Sequence, residues 1–160
     1  MKKVIHPDNT FIVASYKYDK HYAIKEEDYK NALRPGGLPL LLRPNSEREV
    51  IIPLNNQKLH NAKLIVESKS EIATGTNVMV HISFYDGSLW KELAVIQART
   101  PFGTKNIMDV PDKANELKLR MSSAERIWIK DLALINNFSV LDFEEEKLIL
   151  QEAVIPGIGS

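Results

Sequence analysis

The segment Asn77 to Tyr85 constrains this chain most, because its polarity alternates with a period of two and not of three to four. Val78, Val80, Ile82 and Phe84 fall on one side, and Met79, His81, Ser83 and Tyr85 on the other. Successive side chains of a strand face opposite ways, so the pattern predicts one face in a core and one looking out. Asp86-Gly87-Ser88 supplies a turn, and Leu93 with Val95 resumes the alternation on a hairpin partner.

The same logic extends along the chain. Phe11 to Tyr18 is aromatic and β-branched, and Ala62, Leu64 and Val66 alternate with Lys63, Ile65 and Glu67. Val50, Ile52 and Leu54 alternate with Glu49, Ile51 and Pro53, and the proline, which has no amide donor, makes this an edge strand or a bulge. Leu117, Leu119 and Met121 alternate with Lys118 and Arg120, which favours a strand over a competing helix from about 109 to 120 starting near Pro111. Ile127 and Ile129 lead into Leu132 and Leu134 with a change of parity, which predicts a β-bulge at Lys130-Asp131. Helical pattern is confined to one or two turns within Lys25 to Leu33, ended by Arg34-Pro35-Gly36-Gly37. The segment from Phe143 to Leu150 reads as a last strand or a short helix, and 155–160 as a loose tail. About nine or ten short strands without an internal repeat or linker predict one all-β domain over 1–160, a β-sandwich with jelly-roll topology.

Composition narrows the function classes. With 21 basic and 21 acidic side chains the net charge is zero, which removes the long-range pull toward nucleic acid or an anionic membrane. No apolar run approaches the roughly 20 residues of a membrane helix, and Met1 to Asp8 turns polar too early for a signal-peptide core. The expected compartment is the cytoplasm, with no direct membrane insertion. The chain has no cysteine, and His6, His21, His60 and His81 lie on separate elements without ligand spacing. No glycine-rich phosphate loop, Gly-x-Ser-x-Gly elbow or His-Glu-x-x-His pair occurs. The expectation is therefore no catalytic residue, no metal and no cofactor.

Binding chemistry has more to work with. Sandwiches that hold sugars use exposed aromatics and hydrogen-bonding side chains on a sheet face. The outward row His81, Ser83 and Tyr85, with Trp128 and Lys130 on another strand and Trp90 at the rim, is the candidate ligand face. The plainer alternative has Trp128 and Met79 covering the second sheet or filling the far side of the core, with His81 a satisfied surface residue. Tyr16 to Tyr22 interleaves aromatics with basic residues, as RNA-binding surfaces do, but it is short and contains Asp19, so an amphipathic edge strand is the better reading. Phe143, Leu148, Ile149 and Leu150, beside Glu144 to Glu146, are candidates for partner binding. Equally, Leu148 and Leu150 could complete the sandwich.

From Ala62 onward the order of elements resembles a carbohydrate-binding-module jelly roll of the galactose-binding-like class. A turn at Arg34-Pro35-Gly36-Gly37 leads to the apolar Leu38-Pro39-Leu40-Leu41-Leu42, and Phe84-Tyr85-Asp86 and Pro111-Asp112-Lys113-Ala114 follow. In these segments the wider layout resembles the small jelly-roll protein of the Gram-positive accessory Sec system, the third of its accessory secretory proteins. The chain departs from that family's pattern around Leu41 to Pro53 and in Phe138 to Ser160. The resemblance implies a non-enzymatic cytosolic subunit whose partners are other accessory Sec proteins and the dedicated Sec motor ATPase. It also implies a role in exporting a glycosylated serine-rich adhesin, with weak glycan binding as an added property. A carbohydrate-binding module of a larger enzyme and a phage or viral structural jelly roll are the alternatives.

Overall fold

The computed structural model describes residues 9–71, 78–99, 104–112 and 117–139. Among these, the strands are β1 (Thr10–Ser15), β2 (His21–Lys25), β3 (Leu40–Leu42), β4 (Ser46–Ile52), β5 (Ala62–Ser70), β6 (Val78–Tyr85), β7 (Trp90–Ala98), β8 (Lys105–Val110), β9 (Leu117–Ser123) and β10 (Ile127–Ile135). One short helix, α1 (Glu26–Lys30), follows β2. They form a six-stranded sheet in the order β2-β1-β8-β5-β10-β3 and a four-stranded sheet in the order β4-β9-β6-β7. Without β1 and β2, the orders β3-β10-β5-β8 and β4-β9-β6-β7 are those of a jelly roll, with consecutive strands crossing between layers except at the β6–β7 hairpin. The protein is a jelly-roll β-sandwich. β1 and β2 widen one layer, β1 running parallel to β8 with Ala14 opposite Asn106 and Ser15 opposite Ile107.

The alternation in β6 becomes the core. Val78, Val80, Ile82 and Phe84 are at most 4% exposed, whereas Met79 and His81 face out. Leu117, Leu119 and Met121 of β9 are fully buried, so 117–123 is a strand and the helical alternative fails there. Each such side chain contributes about 1.5–3 kcal/mol of hydrophobic stabilisation. In β5 the expected alternation is hidden, because Ala62 to Val66 are all buried. The cause lies on the outer side of the six-stranded sheet. Val13, Ile24, Ile65, Ile107, Ala133, Ile135 and Phe138 form a second, smaller core there, against which Phe11, Tyr22 and Tyr29 pack.

The bulge in β10 lies where the parity change puts it, with the register shifting between Ile129 and Asp131. A second bulge was not legible in the sequence. Ile82 pairs with Ala94 but Ser83 with Glu92, which leaves Leu93 as the extra residue of β7. Ala94, Ile96 and Ala98 therefore take the core positions, and Val95 lies opposite His81 on the outer face. The strand expected over 11–18 stops at Ser15; Tyr16 to Lys20 turn, with Tyr18 at φ +58°. β4 is an edge strand that ends at Ile52, directly before Pro53.

Candidate functional site

The outer face of the four-stranded sheet carries the clearest constellation. Strand register places Glu47, Ser122, His81 and Val95 in one row, and Glu49, Arg120, Ser83 and Glu92 in the next. A third row runs from Ile51 through Lys118 to Tyr85 and Trp90. Ile51 is 52% and Met79 37% exposed, and Leu89, in the turn before Trp90, is 63% exposed. Ile51 and Leu89 flank the third row, and Met79 lies three rows away at the start of β6.

Two aromatic rings and two cations interlock where the second and third rows meet. The Tyr85 and Trp90 rings stand 5.4 Å apart at 56°. Lys118 Nζ lies 5.5 Å from the Tyr85 centroid, and the Arg120 guanidinium 4.4 Å from that of Trp90. Arg120 also reaches Glu47 at 3.8 Å. The adjoining turn is fixed by Asp86, whose carboxylate accepts from the amides of Ser88 and Leu89 and the Ser88 hydroxyl. Those backbone donors, Leu89 first, together with Lys91 at 3.0 Å, hold the Asp86 carboxyl well below the usual carboxylate range. At the other end His81, Ser46, Glu47, Asn45 and Ser122 line a shallow cavity of about 300 Å³.

Of the six residues expected to share a ligand face, the fold brings together His81, Ser83, Tyr85 and Trp90. It separates Trp128 and Lys130, which lie on β10 in the other sheet. There Ile127 and Ile129 point into the core, so half-buried Trp128 points away from the four-stranded sheet, opposite Leu41 and Lys69. Lys130 sits in the bulge 3.8 Å from the buried carboxylate of Glu67. The single face expected from the sequence is thus two surfaces on opposite sides of the sandwich. Lys118, Arg120 and Ile51 were missed as members, although they occupy the outward positions of alternating strands. Phe143, Leu148, Ile149 and Leu150 lie outside the described residues, as do 155–160.

On the far side, Arg34, Tyr29 and Asp131 tie α1 and its following turn to the β10 bulge. Arg34 Nε donates to Asp131 Oδ1 at 2.8 Å, the Tyr29 hydroxyl donates to Asp131 Oδ2, and the guanidinium covers the Tyr29 ring at 4.8 Å. Burial raises the Asp131 carboxyl, but the Arg34 and Tyr29 hydrogen bonds outweigh it and leave it below the usual value. Burial, followed by the Asp131 carboxylate, pushes the Tyr29 hydroxyl up. A five-residue helix is marginal alone, so this network anchors α1. Among the described residues no three His, Asp or Glu side chains converge as metal ligands, and no helix is long and apolar enough to cross a membrane.

The strand order defines a jelly-roll sandwich, and solved structures similar to it are carbohydrate-binding modules. Two mutants of CBM29-2, a family 29 carbohydrate-binding module, are each 15% identical. They match 82% and 85% of this chain and 98% and 97% of their own, with TM-scores of 0.43 and 0.45. The CBM22-1–GH10 modules of Clostridium thermocellum endo-1,4-beta-D-xylanase 10B, complexed with xylohexaose, are 11% identical over 88% of this chain and 27% of theirs, with a TM-score of 0.38. No family model and no curated protein matches the chain.

Proposed function

We propose that this protein is a non-catalytic, cytoplasmic subunit of an accessory Sec complex that exports a glycosylated serine-rich adhesin. On this reading the outer face of the four-stranded sheet contacts the other accessory Sec proteins or the dedicated Sec motor ATPase. The observation that carries it is the open third row, where exposed Ile51 adjoins Lys118, Tyr85, Trp90 and Arg120. Aromatic and arginine side chains beside exposed aliphatics are the composition of protein-binding hot spots. The segments that carry the family resemblance support the reading. Phe84-Tyr85-Asp86 ends β6 with one ring in the core, one on the open face and a carboxylate that fixes the turn. Arg34-Pro35-Gly36-Gly37 leads from α1 toward β3, with Arg34 pinned to Asp131.

Co-expression with the sister proteins and the motor tests this. The wild-type chain is expected to co-purify with at least one of them, and Ile51→Glu with Met79→Lys to release it while keeping the melting temperature. A second reading, glycan binding, draws on the Tyr85–Trp90 pair. Titration with N-acetylglucosamine-containing glycopeptides, followed by NMR at these two rings, separates it from the first.

A further inference from the structure

We infer that the edge of β7 turned away from β6 receives one extended segment of another protein as a fifth strand of the four-stranded sheet, with a basic side chain at the end that meets Glu92. The first ground is a contrast among the four sheet edges. β3 has three residues, β2 has five between His21 and Lys25, and β4 carries Glu47, Arg48 and Glu49 before Pro53. Short length, charge and proline are the usual protections against strand addition. β7 carries its two charges, Lys91 and Glu92, and its bulge only at the start: it is nine residues long, and Leu93 to Ala98 contain no charge, glycine or proline. Among the described strands it pairs with β6 alone.

The second ground is the ledge beside that edge. β1 and β2 carry the six-stranded sheet two strands past β8, at about 4.8 Å each. Ala14 is opposite Asn106, whose neighbour Met108 lies in the inter-sheet core, so Ile12, Ala14 and Tyr16 face the layer that the four-stranded sheet does not cover. All three are half-buried. The corner between this ledge and the β7 bulge is a cavity of about 360 Å³, bordered by Tyr16, Leu93, Phe84, Met108 and Pro111. The ledge also decides the occupant. A second copy pairing through β7 would bring its own β1 and β2 into the space these strands fill, whereas a single strand fits above them.

The third ground is charge at the rim. Lys17 and Lys20 lie over the rings of Tyr16 and Tyr22, Asp19 accepts from the Ser15 hydroxyl, and Asp109 pairs with Lys63 at 2.6 Å. Glu92 borders the same cavity and has no partner among the described residues. Across the ledge the Arg99 guanidinium rests 5.0 Å from the ring of exposed Tyr18, a contact that an incoming strand displaces.

The test uses the full chain and two soluble synthetic peptides of alternating Thr and Val, one ending in Arg and one in Ala, read by fluorescence anisotropy. The Arg peptide is expected to bind at least about tenfold more tightly, Glu92→Gln to erase that preference, and Ala14→Arg to abolish both interactions. Hydrogen exchange is expected to show the β7 amides slowed only when peptide is present. No binding of either peptide, or binding indifferent to Ala14→Arg, overturns the proposal. So does protection of the whole β7 edge without peptide, which would mean that the chain itself already fills the site.

Discussion

Arg120 on β9 holds its guanidinium 4.4 Å from the centroid of the Trp90 ring on β7, across one face of the same sheet. A sugar stacking on that side of the indole would have to displace a cation already attracted to the ring quadrupole. The arrangement suits a surface that offers cation and ring together to a protein partner.

Removing that cation should expose the ring. In a Trp128→Phe background, which leaves Trp90 as the chain's one tryptophan, Arg120→Ala is expected to increase quenching of the fluorescence by acrylamide, a neutral quencher that the lost charge neither attracts nor repels. Unchanged quenching and an unshifted spectrum would show that the guanidinium does not cover the indole in solution.

Phe84 is 4% exposed and belongs to the inter-sheet core. Phe84→Ala is expected to destabilise the protein by about 3–5 kcal/mol through lost transfer energy and a residual cavity. Denaturant unfolding measures this, and a loss below about 1 kcal/mol would contradict the packing.

Asn106 is 1% exposed, and both polar atoms of its carboxamide lack a protein partner. A buried polar group left unpaired costs about 1–3 kcal/mol. Asn106→Leu is therefore expected to stabilise the fold by a sizeable part of that amount. A lower denaturation midpoint in the variant would mean that the amide is satisfied.

The Arg34–Asp131 pair should make stability depend on acid pH. The folded Asp131 carboxyl lies below its ordinary value, so its contribution is present above the unfolded pKa of about 3.9 and is lost as pH falls through the folded pKa. Asp131→Asn is expected to cost about 1–3 kcal/mol at pH 7. The gap to wild type should narrow below about pH 4, as the wild-type carboxylate protonates. Melting curves at both pH values check this, and a gap independent of pH would remove Asp131 as its source.

The fold was legible wherever one sheet face is buried and the other solvated, as in β6 and β9. It was obscured in β5, because a second core covers the outer face and makes Lys63, Ile65 and Glu67 as buried as their neighbours. The β10 bulge was readable from apolar parity, since large residues flank it. The β7 bulge was not, because Leu93 and Val95 imitate a core pair while small Ala94 and Ala98 occupy the interior. The candidate face was half legible for a related reason. Alternation says which residues share a face of one strand, but only the strand order decides whether two strands lie in one sheet. That order placed Trp128 and Lys130 opposite His81, Tyr85 and Trp90.

The central claim is that the outer face of the four-stranded sheet is a partner-binding surface of an accessory Sec subunit. Its most direct test is the affinity of the purified chain for the purified sister proteins and motor, measured by calorimetry with wild type and with Ile51→Glu/Met79→Lys. The expected result is saturable binding by wild type, weakened at least about tenfold in the double variant at an unchanged melting temperature. No binding to any of these proteins, or equal affinity in the variant, would contradict the claim.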